Sequence, residues 1–481
     1  MTLRRSATNA AFWGLAQKWG HHSVKLLVFV ALARLLEPES FGLVALASVF
    51  VLLGETLVDQ GFSDALVQRR ALGRAHCDAA FWASAFCGVA LCTAFVVAAP
   101  PLAAVFGQPR LGPVLAALSP ALLLVALGKT HEALLRRRLA FKPIAGIAFV
   151  AVVAGGLTGL GMAISGYGVW SLVGQQLVQR LVQLPCLWFV SRWRPRARFS
   201  VHHFRSMLRF GASIIGINLV NFANRQSDHL LIGYVLGPTA LGYYTVGYRL
   251  LRMLLELLPH ALVPVAFSAF SRMGTDRVRM REALYEATRV VSLAAFPAFC
   301  GLVLVAPELI PSAFGANWRP SVPVLQALAP IGLLQSVSLF YPAALKACGR
   351  PGWVLLISGV NAVANVLAFA VVVPWGITAV AMAFTVRGFL LWPMSWWAIN
   401  RVLALDVGRY ARALVPAVTG SAVMALVVVI GKATLPGGID GAAVVGFAVA
   451  IGAASYAAAV FTLAPTVFRE TLRLVNRRHS T

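Results

Sequence analysis

Four apolar stretches of this sequence carry ionisable and amide residues spaced three or four apart, which places each set on one face of a helix. An ionisable group at bilayer depth costs at least about 2.5 kcal/mol and usually faces a water-filled cavity or a partner. In such a cavity lysine and arginine pair with phosphate or pyrophosphate, and carboxylates bind cations. The basic candidates for binding an anionic group are Lys18, Lys25, Arg225, Arg249 and Arg252, and the candidates for a polar lining or for ion coupling are His22, Glu55, Asp59, Asn218, Asn221, Asp228, Glu256 and His260.

Internal pairing is a second interpretation of the same stripes. Arg225 lies three residues before Asp228, and Arg252 lies four before Glu256, spacings at which opposite charges pair on a helix. The two lysines of the first stripe are long enough to snorkel towards the membrane surface. The sequence leaves both interpretations open. Polar residues outside the stripes rank lower as ligands, and these are Lys129, His131, Glu132, Arg180 and Arg387.

The elements that must position these side chains are membrane helices. Of the 481 residues, 59% are hydrophobic and 12% are charged, whereas soluble domains carry about 25% charged residues. The mean hydropathy is +0.80. Runs of about 20 apolar residues, the length that spans a bilayer, recur throughout. We therefore predict an all-α, polytopic membrane protein with about fourteen transmembrane helices, near 10–33, 41–66, 78–105, 112–136, 142–164, 168–192, 208–236, 241–271, 284–313, 321–347, 352–374, 376–402, 409–432 and 438–465.

Turn sequences recur along the chain at a nearly constant spacing. The hairpin with Pro38 and Gly42 returns 200 residues later with Pro238 and Gly242. Two further turns, around Gly107 and Gly168, return after 208 residues. Duplicated halves are typical of transporters, with the substrate site between the repeats. We predict two parallel-repeat six-helix lobes, 1–191 and 210–402, a linker over 192–209, and two extra helices with a basic tail over 403–481.

The net charge of +25 follows membrane topology. Of the 41 lysines and arginines, roughly 28 fall in alternate loops and tails, and roughly 4 fall in the opposite loops. This positive-inside pattern predicts that both termini are cytoplasmic, and it argues against nucleic acid as a partner. In the linker over 192–209, aromatic residues interleave with basic ones. That pattern favours an amphipathic surface helix, with an ordinary basic loop as the alternative.

No motif for covalent or metal chemistry is visible. The six cysteines lack CxxC spacing and are typical of small buried hydrophobes. No phosphate-cradling loop, nucleophile elbow or zinc-ligand spacing occurs. We expect no enzymatic activity, no metal and no cofactor. Coupling to H⁺ or Na⁺ through a carboxylate of the stripes stays open.

Several motifs together carry a family resemblance. Residues 33–42 (Ala-Arg-Leu-Leu-Glu-Pro-Glu-Ser-Phe-Gly) resemble the first outer hairpin of Wzx-type polysaccharide flippases, members of the multidrug/oligosaccharidyl-lipid/polysaccharide exporter superfamily. Residues 225–228 (Arg-Gln-Ser-Asp) with 236–244 resemble the counterpart in the second lobe. Residues 314–318 with 324–328 resemble a third family stretch, and 166–170 resemble a fourth.

The resemblance implies two six-helix lobes in a V, followed by two C-terminal helices. It implies a bacterial inner-membrane flippase that moves a polyprenyl-pyrophosphate-linked oligosaccharide from the cytoplasmic to the periplasmic leaflet, for exopolysaccharide or lipopolysaccharide assembly. By the same resemblance, Arg225 and Asp228 line the central cavity. Membrane lipid is an expected partner, and contact with other polysaccharide-assembly proteins stays open.

Rival functions make different demands on the residues. A multidrug or organic-cation antiporter of the same fold needs a site dominated by acids, whereas basic groups are at least as many here. A membrane glycan polymerase, ligase or glycosyltransferase generally needs a sizeable outer loop, and the predicted outer loops are short. A scaffold protein without transport activity would not explain charged side chains within the membrane.

Overall fold

In the computed structural model, all regular secondary structure among the described residues is helical. The structure describes residues 22–59, 61–69, 72–257, 276–436 and 438–463, together with the single residues 20, 270 and 273. In chain order the helices are α1 (22–35), α2 (Pro38–Asp59), α3 (Phe62–Gln68), α4 (Arg74–Val105), α5 (Leu111–Leu118), α6 (Pro120–Arg137), α7 (Phe141–Ile164), α8 (Val169–Ser191), α9 (Val201–Val235), α10 (Gly237–Leu257), α11 (Arg277–Phe314), α12 (Ser321–Ser338), α13 (Tyr341–Ala347), α14 (Pro351–Val372), α15 (Ile377–Leu403), α16 (Val407–Ala433) and α17 (Gly441–Leu463).

The chain is a multi-pass membrane protein. Ten spans of the described part are long and apolar enough to cross a bilayer, and α5 with α6, like α12 with α13, count as one span each. Helices α8 and α9 are long as well but carry more polar residues. The predicted boundaries agree with the described helices to within a few residues over most of the chain. The total of fourteen transmembrane helices stays a prediction.

The backbone repeats the turns that the sequence repeats. Residues with a positive φ stand next to the ends of corresponding helices, and the two members of each pair are 208 to 212 residues apart. Such φ values are uncommon outside glycine, so their recurrence in the same order reflects a shared turn design. The matching pairs are Gly107 with Gly315, Leu139 with Gly349, Gly168 with Gly376, and Arg192 with Ala404.

The described chain forms two compact units. Unit 1 comprises residues 1–245 together with 365–377, and unit 2 comprises 246–364 together with 378–481. Helices α10 and α14 therefore each contribute residues to both units. In unit 1, a cluster of buried apolar side chains that includes Phe62, Phe81 and Trp193 packs α3, α4 and α6 against the segment that follows α8. In unit 2, Met424 and Val428 of α16 pack against α11 and α17.

The predicted amphipathic helix over 192–209 is wrong for its first half. Residues 192–200 are not helical, and α9 starts at Val201 and runs on to Val235. Pro195 disfavours a helix there, and Ser200 caps α9 by accepting from the backbone N–H of His203. Asp78 and Trp82, one turn apart on α4, bind the backbone N–H and carbonyl of Arg196. These tertiary contacts replace the hydrogen bonds of a helix.

A second difference concerns the predicted helix over 41–66. Helix α2 ends at Asp59, Gly61 has a left-handed φ of 68°, and α3 is a separate short helix. The guanidinium of Arg137 donates to the backbone carbonyls of Leu66 and Val67, at 2.9 and 3.1 Å, and also to that of Arg69. These bonds satisfy carbonyls at the end of α3 that have no partner within the helix.

Candidate functional site

The two acids predicted on α2 face basic residues of the same unit. The carboxylate of Glu55 accepts from the guanidinium of Arg180 on α8 at 2.7 Å. Both side chains are partly buried, so this pair is screened less than a surface pair. The sequence placed Arg180 outside the polar stripes, yet the structure brings it onto one of them.

Asp59 sits at the break between α2 and α3. Its Oδ1 accepts from the hydroxyl of Ser63 at 2.5 Å and from the backbone N–H of Ser63 at 3.3 Å. The ammonium of Lys129 on α6 lies 3.8 Å from Oδ2. After the left-handed turn at Gly61, the backbone N–H of Ser63 points back at this carboxylate. Lys129, like Arg180, is therefore a partner of a predicted site acid.

These contacts continue along one face of α2. Ser48 lies seven residues before Glu55 and accepts from the amide of Gln176 at 3.3 Å, one turn from Arg180 on α8. The spacing of seven and then four keeps all three α2 residues on one face. We call this set the α2 polar ladder, and its members are Ser48, Glu55 and Asp59 with their partners Gln176, Arg180 and Lys129.

Asp228 on α9 is deeply buried. Its side chain is 3% exposed. One oxygen accepts from the hydroxyl of Tyr244 at 2.8 Å, and the other accepts from the backbone N–H of His229 and lies 2.8 Å from the same residue's ring nitrogen Nδ1. The pairing with Arg225 that the spacing allowed is therefore replaced by pairing with Tyr244 and His229.

The remaining predicted residues of α9 are more accessible. The side chain of Arg225 is exposed, and among the described residues it has no ion-pair or hydrogen-bond partner. Asn218 and Asn221 are half-buried on the same helix. A polar contact that the sequence did not predict lies beside them, where the Asn365 amide donates to the backbone and side-chain oxygens of Asn224. Asn365 is 1% exposed.

On α10 the second interpretation of the stripes applies in part. Arg252 donates to Glu256 at 3.2 Å, one turn further along the same helix. Arg249 is exposed, although it lies within an apolar helix. On α1, His22 and Lys25 are half-buried. Lys18 and His260 lie outside the described residues, so their positions stay predictions.

Arg387 on α15 is a further charged residue that the stripes did not include. Its Nη1 donates to the side-chain oxygen of Asn361 on α14 at 2.5 Å. Its Cζ lies 5.3 Å from the centre of the Phe384 ring, a cation–π distance. The amide of Asn361 donates to its own helix at the Ile357 carbonyl, which fixes its oxygen towards Arg387. The signal in the sequence was the spacing of four between Asn361 and Asn365 in an apolar helix.

Two of the lower-ranked residues have structural roles in unit 1. The ring of His131 is fully buried among Phe81, Trp188 and Trp193, with Nδ1 2.7 Å from the Ser191 hydroxyl. Glu132 pairs with Arg136 one turn later. Metal chemistry finds no support in the described part of the chain, which brings together no group of three or more His, Cys, Asp or Glu that could hold an ion.

The arrangement combines neutralised and unneutralised charge. The α2 polar ladder holds each acid against a base, and Asp228 is bound by uncharged or titratable groups. Arg225 and Arg387 have no carboxylate partner among the residues that the structure describes. Each of these two guanidinium groups is cationic, and guanidinium groups bind oxyanions.

This combination of long helices and intramembrane charge is that of a membrane transport protein. The fold is similar to a lipid II flippase, MurJ, in an inward closed conformation, with a TM-score of 0.78 and 13% identity, over 95% of this chain and 99% of that one. It is also similar to an inward-facing multidrug transporter of the MATE family, with a TM-score of 0.62 and 15% identity, over 80% of this chain and 95% of that one.

The chain belongs to the family described as polysaccharide biosynthesis protein, whose model matches residues 31–323. It is 31% identical to the succinoglycan biosynthesis transport protein ExoT of Rhizobium meliloti (strain 1021), over 72% of this chain and 70% of that protein. It is 28% identical to the lipopolysaccharide biosynthesis protein WzxC of Escherichia coli (strain K12), over 70% and 69% respectively. The resemblance to polysaccharide-transport proteins is thereby confirmed.

Proposed function

We propose that this protein is a flippase that moves a polyprenyl-pyrophosphate-linked oligosaccharide from the cytoplasmic to the periplasmic leaflet of a bacterial inner membrane. The product serves exopolysaccharide or lipopolysaccharide assembly. The observation that carries the proposal is the relatedness to a protein named for succinoglycan transport. The fold shared with a lipid II flippase supports the same reading. The chain acts as a transporter and catalyses no bond change.

The residues support an anionic cargo. The acids of the α2 polar ladder are neutralised by Arg180 and Lys129, so they add no net negative charge. Arg225 and Arg249 are exposed on long helices, and a guanidinium pairs with the oxygens of a pyrophosphate. The hydrophilic glycan would follow through the hydrated part of the protein, while the polyprenyl tail stays in lipid. Alternating exposure of the polar residues to the two membrane faces is the mechanism that duplicated halves favour.

The membrane potential assists this direction of transport. Moving one negative charge outward across an inside-negative membrane is favourable by about 2.3 kcal/mol per 100 mV. A carboxylate such as Glu55, Asp59 or Asp228 is the place where an H⁺ or Na⁺ would couple. The positive-inside distribution of lysine and arginine supports cytoplasmic termini.

The experiment is deletion of the gene in its host, followed by mass spectrometry of the lipid-linked oligosaccharides. Accumulation of one polyprenyl-pyrophosphate oligosaccharide, together with loss of the surface polymer, supports the flippase, and its mass identifies the repeat unit. Unchanged lipid-linked pools and unchanged polymer would instead favour a multidrug or organic-cation antiporter.

A complementation series tests the anion-binding residues. The deletion strain receives the wild-type gene or the double variant R249Q/R252Q. We expect the double variant to lower polymer export at least tenfold, because two guanidinium groups are lost. The matched control is R319Q, which removes an exposed arginine outside the helices of the site. Full export by R249Q/R252Q would refute a pyrophosphate-binding role for these two residues.

A further inference from the structure

Near the middle of α15, unit 2 holds a cation that has no carboxylate partner among the described residues. Arg387 is the eleventh residue of α15, which at 1.5 Å per residue places it about 15 Å from the start of the helix. A cation at that depth in a membrane is unfavourable unless a partner compensates it. Its position therefore calls for a physical reason.

The acids that the structure describes do not supply that compensation. No carboxylate lies within ion-pair distance of Arg387 among the described residues, and Glu470 is the only acidic side chain in the remainder of the sequence. Other basic side chains within the predicted membrane helices do pair with a carboxylate. Arg180 pairs with Glu55, and the ammonium of Lys432 lies 2.7 Å from Glu308.

The contacts of Arg387 orient the guanidinium without neutralising it. Asn361 accepts one N–H bond and is itself anchored on the Ile357 carbonyl. The Phe384 ring lies at a cation–π distance from the Arg387 guanidinium. Nε is buried without a partner among the described residues. A guanidinium has five N–H donors, so most of its binding capacity is unused.

A second arginine of unit 2, Arg252, lies one turn from a residue that contacts Phe384. Phe384 contacts Tyr248 of α10 edge-on, with ring centroids 6.3 Å apart. Arg252 is one turn beyond Tyr248, and Arg387 is one turn beyond Phe384. Among the described residues, Arg252 pairs with Glu256, through a partly exposed pair of the kind that contributes little.

We propose that Arg387, oriented by Asn361, is an additional binding residue for an oxyanion of the transported molecule. The oxyanion is a phosphate group of the lipid carrier or a carboxylate of an acidic sugar, since both present paired oxygens to a guanidinium. The inference rests on the proposed flippase function and extends it to α14 and α15, which the sequence stripes did not include. Asn361 is a positioning residue, because it acts through Arg387.

The test is a binding titration of the purified full chain in detergent, read by intrinsic tryptophan fluorescence. The probes are polyprenyl pyrophosphate, polyprenol and methyl glucuronide. The variants are R387Q, R387K and N361A, with R319Q as the control for loss of a positive charge. The melting temperature of each variant shows whether it folds. If R387Q does not fold, binding by R387K and N361A decides the test.

We expect R387Q to weaken binding of one anionic probe at least tenfold while polyprenol binding and the R319Q control stay unchanged. Because lysine keeps the charge but not the fork of donors, R387K should show a partial loss, and N361A a loss of several-fold. An effect on polyprenyl pyrophosphate identifies the phosphate as the ligand. An effect on methyl glucuronide alone identifies the sugar carboxylate.

Two results would overturn the proposal and separate it from the proposed function. If the wild-type chain prefers polyprenyl pyrophosphate to polyprenol, and R387Q, R387K and N361A bind both anionic probes as the wild type does, Arg387 has no binding role and the flippase proposal stands. If the wild-type chain shows no preference for polyprenyl pyrophosphate over polyprenol and does not bind methyl glucuronide, both proposals fail.

Discussion

The Cα atom of Gly42 packs directly against the backbone carbonyl of Pro238, and a Cβ at position 42 would overlap that oxygen. The relationship is reciprocal, because a Cβ on Gly242 would overlap the carbonyl of Pro38. These four residues are the ones whose repetition marks the duplication in the sequence. The repeated motif therefore has a packing role, in which each copy supplies the glycine against which the proline turn of the other copy packs.

The first prediction concerns this contact. Gly42→Ala and Gly242→Ala should each lower the free energy of unfolding by about 1–3 kcal/mol, the usual range for overpacking, because the obstacle is backbone and cannot rotate away. Thermal melting in detergent measures the effect. The control is Gly146→Ala, since a Cβ at that helical position meets no atom within 4 Å. Equal melting temperatures for Gly42→Ala and Gly146→Ala would contradict the contact.

A second prediction concerns the pair of Glu55 and Arg180. Glu55→Gln or Arg180→Gln alone leaves a partly buried charge without its partner and should cost about 1–3 kcal/mol. The double variant should be less destabilised than the sum of the two, because no charge is then left unpaired. A double-mutant cycle on thermal stability measures this coupling. The more exposed pair of Arg252 and Glu256 serves as the comparison and should couple by only about 0.3–0.5 kcal/mol.

A third prediction concerns Asp228. Tyr244→Phe removes the hydroxyl that binds one carboxylate oxygen, and leaving a buried acceptor without its donor costs about 1–3 kcal/mol. The variant should melt at a lower temperature than the wild type. Tyr167→Phe is the control, because Tyr167 is 59% exposed. A loss of stability in Tyr167→Phe as large as that in Tyr244→Phe would show that the effect is not specific to Asp228.

A fourth prediction concerns the non-helical segment 192–200. Asp78→Ala removes the acceptor for the backbone N–H of Arg196, so the segment should open more often. Trypsin should then cut after Arg196 about fivefold faster or more, the factor that roughly 1 kcal/mol of local stability represents. The rate is followed by mass spectrometry of the fragments. The control is Glu286→Ala, at an exposed position of α11, which trypsin should cleave at the wild-type rate. An unchanged cleavage rate in Asp78→Ala would show that the contact with Asp78 does not protect the segment.

The sequence by itself determined most helix boundaries, the repeated turns and the co-facial spacing of polar residues. Helix boundaries follow from local hydropathy and from Pro and Gly signals, and co-facial spacing such as that of Glu55 and Asp59 follows from helix geometry alone. The repeat of Pro38 and Gly42 at Pro238 and Gly242 can be read directly from the amino-acid sequence. Local rules suffice for these features because each depends on residues within a few turns of one another.

Tertiary structure alone decided which charges are neutralised. Arg180 pairs with Glu55 across 125 residues of sequence, and Arg387 meets Asn361 on a neighbouring helix. Residues 192–200 are not helical, and Asp78 and Trp82, more than a hundred residues earlier, bind the backbone of Arg196. Helix periodicity gives the face of a side chain but not the helix that this face meets. A charged side chain at bilayer depth is stabilised by the partner that helix packing brings next to it, and that partner can be far away in the sequence.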